Sequence, residues 1–481
     1  MQNINVISQF LSIIIILITS LLFAIIGIIY SRKFLDLNNY LVANRSVGIF
    51  SLTTSFIASA LGSWILFGPA SAASWGGIGA VIGYSLGTAF PFFLLIYLGK
   101  IFRSQFPNGK TLIEVIRLKF GNNLFKLILL LSFFYMTVFL IAEVTAVSIL
   151  IRYLSGTNLW ITSFTVITFS MIYTLYGGLR ASIFTDNIQF IFLLFLLIIT
   201  FLSIVLTQNS NFNIDVIKEN KPLLLSATYY PNYTAGLTFF IAVAATNLFH
   251  QGNWQRVYAA KNFKVLKTSL IISFLFSISI IFFIGFCGLI SVSLNPDINP
   301  DLAFFSLILN KQNIFIIVII VFLAISLTVS SIDTILNAVS SLIIVDGKKT
   351  IKKNFNTKKA SRLFIILLSV ITFLISSQGI SILYLFLLAD LFCCAAVVSV
   401  FFSFYKESFK EQNIYFSIIL GLIGGLMFFP TPDFSRSLLV GILIPASIFP
   451  EFISKSLLFC SFLIATLLPI LAFKVTFLQK K

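Results

Sequence analysis

SQFLSIIIILITSLLFAIIGIIY, residues 8–30, carries no Asp, Glu, Lys or Arg. A helix rising 1.5 Å per residue needs about 20 such residues to cross ~30 Å of hydrocarbon, so this stretch is long enough to span a bilayer. Ile188 to Leu206 repeats the pattern, and apolar runs of similar length recur along the chain. The runs are continuous rather than alternating apolar with polar positions as barrel strands do, and only helices then satisfy the backbone in lipid. The expectation is an all-α polytopic membrane protein in a cell membrane.

Composition agrees: of 481 residues, 59% are hydrophobic and only 10% charged. Residues 1–9 contain no Lys or Arg and no small-residue cleavage site follows the first run, which reads as a retained helix rather than a signal peptide. Spans are expected near 8–30, 47–69, 79–103, 124–154, 159–178, 186–208, 234–250, 268–292, 313–345, 361–377, 380–404 and 413–429. Residues 437–450 are short and end at Pro445 and Pro450, whereas 455–474 is long enough to cross. Lys474, Lys480 and Lys481 favour a cytoplasmic C-terminus, hence about 13 crossings rather than 14.

A net charge of +17 would suit a nucleic-acid binder, but the basic residues sit in short loops between spans. Lys100, Arg103, Lys110, Arg117 and Lys119 follow the third span, Arg256, Lys261, Lys264 and Lys267 the seventh, and Lys348 to Arg362 holds seven after the ninth. These loops are expected to be cytoplasmic, and the loops poor in Lys and Arg, Asn209 to Tyr233 and Asn295 to Asp301, to lie outside with the N-terminus. Cys287, Cys393, Cys394 and Cys460 fall in apolar runs without metal spacing and read as buried small hydrophobes. No nucleotide-binding loop or soluble domain is visible, which argues against ATP-driven transport.

Two spans are interrupted. The second contains Gly62, Gly68, Pro69, Gly76 and Gly77, and the seventh Asn247, His250, Gln251, Gly252 and Asn253. Paired interruptions of this kind free backbone carbonyls at the bilayer midplane in inverted-repeat transporters. The ninth span carries Ser326, Ser330, Asp333, Asn337 and Ser340 on one helical face, and the second carries Ser51, Ser55, Ser59 and Ser63. Periodicity alone leaves two readings open: interhelical packing through small polar side chains, or oxygen ligands for a hard cation. Glu143 and Asp390 lie inside the fourth and eleventh spans. A charge at mid-bilayer costs about 2.5–3.5 kcal/mol on insertion scales, so both should face the bundle interior, either bound to a neighbouring helix or contacting a cationic or hydrogen-bond-donating solute.

The run Tyr173-Thr-Leu-Tyr-Gly177-Gly178-Leu179-Arg180-Ala-Ser-Ile-Phe-Thr185-Asp186-Asn-Ile-Gln189 resembles the signature of the sodium/solute symporters, which include proline, pantothenate, sugar and urea carriers. Ala58-Ser-Ala-Leu61-Gly-Ser-Trp64-Ile-Leu-Phe-Gly68, Gln255-Arg256 with Ala259-Ala260-Lys261, and Val329-Ser330-Ser331 extend the resemblance over spans two to eleven. It implies the leucine-transporter-type fold, five helices and an inverted five, here residues 46–208 and 234–404, with 1–45 and 405–481 flanking them. It also implies a Na+ site of the Ala58, Leu61 and Leu327 carbonyls and the Ser330 and Ser331 hydroxyls, with Asp186 on the ion's exit path. A second reading of Asp186 is an N-terminal helix cap with Thr185. Ser59, Trp64, Glu143, Asn247, His250, Gln251 and Asp390 are the candidate solute contacts, with Phe249 a further apolar wall.

Some amino-acid-carrying members have an acidic residue where this chain has Ala60, which weighs against proline. Pro107-Asn108-Gly109-Lys110-Thr111-Leu-Ile-Glu114-Val-Ile-Arg117 resembles a cytoplasmic loop of the urea branch, so urea is the first expectation for the solute, with amino acids and polyamines open. The expected activity is sodium-coupled symport by alternating access without covalent chemistry. A proton-coupled carrier using Glu143 or Asp390, or a non-transporting solute sensor, is the alternative.

Overall fold

The computed structural model describes residues 6–32, 36–207, 213–309, 314–347, 349, 356–405, 410–440 and 456–478. The first long helix, α1 (Gln9–Ser31), starts where the Ser8 hydroxyl accepts a hydrogen bond from the Leu11 N–H. A short α2 (Leu37–Val42) leads into α3 (Ile49–Ala60) and α4 (Trp64–Gln105). Thr111 caps α5 (Leu112–Phe120), which precedes α6 (Asn122–Ser155) and α7 (Leu159–Thr207). Then follow α8 (Ile214–Asn220), α9 (Tyr230–Phe249), α10 (Gln251–Ala259), α11 (Phe263–Leu294), α12 (Ala303–Leu309) and α13 (Ile314–Leu342), which ends in a wider turn at Ile343–Gly347. The last four are α14 (Thr357–Ser376), α15 (Ile382–Phe402), α16 (Glu411–Phe428) and α17 (Leu457–Leu478).

Among the described residues nine helices are long and apolar enough to cross a membrane. Other crossings are made in pieces. The second expected span is α3 followed by the start of α4; the seventh, expected at 234–250, is α9, and α10 carries it on beyond that end. Conversely, the 49 residues of α7 hold the fifth and sixth spans. A straight helix of that length would run about 75 Å, more than twice the hydrocarbon thickness, so it has to fold back. It does so at Gly178, whose φ of +61° lies in the left-handed region, and a Cβ there would sit 2.4 Å from the ring of Tyr40 on α2. Gly77, at φ +56°, makes the equivalent turn within α4.

These turns correct two expected boundaries. The second span continues to Gly77 instead of stopping near residue 69, and the sixth begins directly after Gly178 instead of at 186. Asp186 therefore lies about two turns inside a helix and is not an N-terminal cap. Most of the 437–450 segment, and Lys480 and Lys481, fall outside the described residues.

Packing concentrates on the broken elements: α4 lies against α9 and α11, α7 against α1 and α13, and α15 against α6 and α9. Large apolar side chains such as Ile18 on α1, Phe195 on α7, Leu275 on α11 and Leu363 on α14 stay on the outside of the bundle, as a surface solvated by lipid requires. Arg45 on Gly109, Arg103 on Val257 and Ala260, and Lys349 on Glu114 bring the basic connections after α2, α4, α10 and α13 together at one end, called here the basic end.

Candidate functional site

The chain leaves helical geometry at Leu61 (φ −108°, ψ 61°) and resumes it at Trp64. The last turn of α3 thus presents carbonyls without helical partners, as every helix end does. Gly62 in this break lies directly against α13: a Cβ on it would be 1.7 Å from Ser331 Oγ and 2.8 Å from Glu143 Oε1. Glu143 of α6 closes the other side, accepting hydrogen bonds from the Ser63 hydroxyl and from the backbone N–H groups of Ser63 and Trp64. Its carboxylate therefore sits at the start of α4, where a helix N-terminus favours negative charge. Ala58, Leu61, Leu327 and Ser330 are fully buried and Ser331 nearly so. Such a donor set is oxygen throughout, which suits a hard monovalent cation.

One turn toward the basic end, a buried cluster locks four elements together. Asp186 Oδ2 pairs with Arg256 Nη2 at 2.7 Å, both side chains fully buried. The Ser55 hydroxyl donates to Asp186 Oδ2 at 2.5 Å, and Ser330 donates to Asp186 Oδ1 at 2.9 Å. Arg256 also donates to Ser55 Oγ at 2.7 Å, to Thr334 Oγ1 at 3.2 Å and to the Gly252 carbonyl at 3.0 Å. Arg256 had been expected among the loop cations that report orientation. It is instead a core residue of α10, and its charge is balanced inside the protein.

On the other side of the break is a small cavity of about 30 Å³, lined by Ser59, Ala60, Trp64, Tyr84, Phe139, Val243, Thr246, Asn247, His250, Phe386 and Asp390. Asp390 of α15 accepts from the Thr246 hydroxyl at 2.6 Å, and Trp64 donates its indole N–H to the Ala60 carbonyl at 3.1 Å. His250 forms the junction between α9 and α10. The carbonyls freed there are taken up locally: Asn253 donates to Asn247 O at 2.8 Å, Trp254 to Leu248 O at 2.8 Å, and the Tyr135 hydroxyl to Phe249 O at 3.3 Å. The second helix break is thus sealed by side chains, whereas the first faces Ser331 and Glu143.

Five of the seven expected solute contacts, Ser59, Trp64, Asn247, His250 and Asp390, share this cavity. Two do not. Gln251 accepts from the Leu112 N–H at 3.0 Å and reaches Ser341 at 3.4 Å, so its amide ties α10 to α5 and α13. Glu143 is drawn to the α4 N-terminus and lies beside the break. Phe249 packs its ring on Phe401 rather than on the cavity. Sequence reading missed Tyr84, Phe139, Val243, Thr246 and Phe386, because apolar and hydroxyl residues inside spans carry no signal that separates a cavity wall from ordinary core.

The sodium:solute symporter family model matches residues 40–421. The chain belongs to this family. A spermidine transporter of Candida albicans is 27% identical over 405 residues, covering 83% of this chain and 76% of the relative. The sodium/glucose cotransporter 4 of Mus musculus is 22% identical, and this chain spans only 64% of its length. Among solved structures, a Na+-coupled sialic acid symporter in a substrate-bound outward-open state superposes with a TM-score of 0.75 at 18% identity, covering 97% of both chains. A nucleobase–cation symporter in a closed conformation gives 0.55 at 16% identity, covering 92% of this chain and 95% of the other. The chain therefore has the leucine-transporter-type fold, an inverted-repeat bundle with flanking helices, and is a multi-span membrane protein of a secondary-transporter family.

Proposed function

We propose that the protein is a sodium-coupled symporter that moves a small polar organic solute by alternating access. The observation that carries this reading is the double use of one helix break. Gly62 faces Ser331, while Ala60 and Trp64, on either side of the break, form a wall of the solute cavity. A Na+ ion held by the Ala58, Leu61 and Leu327 carbonyls and the Ser330 and Ser331 hydroxyls fixes the break and, with it, the cavity wall. Ion and solute then stabilise the same conformation, which is what coupling requires. The repeats run over residues 46–208 and 234–404, and the basic end faces the cytoplasm with the N-terminus outside and the C-terminus inside. Asp186 receives the ion as it leaves toward that end.

For the solute, the cavity offers Asp390, one histidine and the rings of Trp64, Tyr84, Phe139 and Phe386, with neither Lys nor Arg among the described residues that line it. A carboxylate among aromatic faces suits a protonated nitrogen better than the neutral urea of the first expectation. The spermidine transporter among the relatives supports the same class.

Uptake into proteoliposomes tests the reading. Replacing external sodium with choline should abolish accumulation, and Ser330→Ala with Ser331→Ala should raise the half-saturating sodium concentration at least about tenfold while the protein remains folded. Accumulation driven equally well by a proton gradient in choline identifies a proton-coupled carrier instead.

A further inference from the structure

At the end of the bundle away from the basic loops lies a second cavity of about 580 Å³, whose wall includes Ser71, Trp75, Asn299, Asp301, Ser381 and Phe434. Among the described residues that line it, none is Lys, Arg or His. Asp301 is held from three directions: its carboxylate accepts from the Ser71 hydroxyl at 2.9 Å and from the Ile382 N–H, and its own N–H donates to Asn299 Oδ1 at 3.0 Å. These contacts fix the carboxylate in place and supply no positive charge. Burial raises the Asp301 carboxyl above its ordinary range, and the two hydrogen bonds to it pull the other way. Such a group is stabilised in its charged form by a cation arriving from the cavity.

Trp75 and Phe434 offer ring surface in the same wall and are 36% and 38% exposed, a surface a desolvating ammonium group prefers to plain hydrocarbon. From Trp75 a row of rings leads inward: Trp75 to Phe239 at 5.7 Å, Phe239 to Tyr84 at 4.6 Å, and Tyr84 to Trp64 at 5.7 Å. Tyr84 and Trp64 line the central cavity, and Tyr84 stands within electrostatic range of both Asp390 and Asp301. The central cavity, about 30 Å³, is small beside the outer one of about 580 Å³ and takes only one end of an elongated solute. The remainder of an elongated solute has to lie elsewhere along the path, and the ring row points toward Asp301.

We propose that Asp301, with Trp75 and Phe434, forms an outer binding site for a protonated amine, and that this site and the Asp390 cavity together select an elongated solute bearing more than one ammonium group. The proposal rests on the symport reading above for its direction of transport, and on the two cavities for its chemistry.

The test compares labelled spermidine, which carries several ammonium groups, with n-butylamine, which carries one. Both equilibrium binding to the purified protein and sodium-driven uptake into proteoliposomes are measured. Asp301→Asn should weaken spermidine about tenfold relative to n-butylamine, the size expected for one charge-assisted contact, and Asp301→Glu should restore much of the difference. Trp75→Leu should shift the same ratio less, and it serves as the readout if Asp301→Asn fails to insert. A spermidine to n-butylamine ratio equal to wild type in both Asp301→Asn and Trp75→Leu overturns the outer site, as does a wild-type protein that binds neither amine. If the wild type binds spermidine with the Asp301 dependence but uptake ignores sodium, the outer site stands and the symport reading fails.

Discussion

Gly62→Ala is expected to raise the sodium concentration for half-maximal uptake by about 10- to 100-fold, the penalty typical when the surroundings of a bound ion are displaced. The added Cβ would lie 1.7 Å from Ser331 Oγ and 2.8 Å from Ser331 Cβ and Glu143 Oε1. Side-chain rotation cannot relieve contacts with two atoms of Ser331 and a carboxylate held by Ser63, so the break itself has to move away from α13. That movement separates the α3 carbonyls from the α13 hydroxyls, which are the two halves of the proposed ion site. Because Trp64 and Ala60 move with the break, apparent solute affinity should fall in parallel at any fixed sodium concentration. Gly48→Ala is the matched control, since nothing lies within 4 Å of its Cβ position at the start of α3. Unchanged sodium half-saturation in Gly62→Ala would detach the ion from this break.

The architecture was legible because lipid imposes a simple rule on backbone polarity, and runs such as residues 8–30 obey it. The interruptions were legible for a related reason: glycine and polar residues at Gly62 and at Asn247 to Asn253 are out of place in a span unless something uses them. Where the chain turns without a loop, at Gly77 and Gly178, the apolar pattern gave no warning, and the second and sixth spans were misplaced by several residues. Those turns depend on a backbone conformation that hydropathy does not register.

The partners of buried charges were not legible, although Glu143 and Asp390 read as interior and Arg256 as a loop cation. Each partner lies far along the chain. Arg256 and Asp186 are 70 residues apart, Glu143 and Ser63 are 80 apart, and Asp301 and Ser71 are 230 apart. Asp390 was recognisable as interior because it sits in an unbroken apolar run, yet nothing local indicated Thr246 as its partner 144 residues away. Gln251 shows the converse: a polar residue at a helix break invites a solute role, and here its amide is consumed by Leu112 and Ser341.

Arg256→Leu should lower the folded yield and melting temperature sharply, and adding Asp186→Asn should recover most of the loss. Removing one member of a buried ion pair leaves an uncompensated charge and costs about 3–5 kcal/mol, whereas removing both members is far less damaging. Here the stranded group would be Asp186, fully buried and left, among the described residues, with the Ser55 and Ser330 hydroxyls to solvate it. The same pair joins α3 through Ser55, α7 through Asp186, α10 through Arg256 and α13 through Ser330 and Thr334. The cluster thus ties the inner segments of both broken spans to α7 and α13 near the basic end of the bundle, where it would hold that end closed. The charge-free double variant should therefore fold but open more readily at that end. A cysteine placed at Thr334 should react faster with a water-soluble maleimide in the double variant than in the wild-type background, where Thr334 is 2% exposed. The four native cysteines are buried and free and provide a low background. Equal labelling rates with normal folding would mean that the pair stabilises the structure without gating it, and a fully stable Arg256→Leu would mean that Asp186 has another source of compensation.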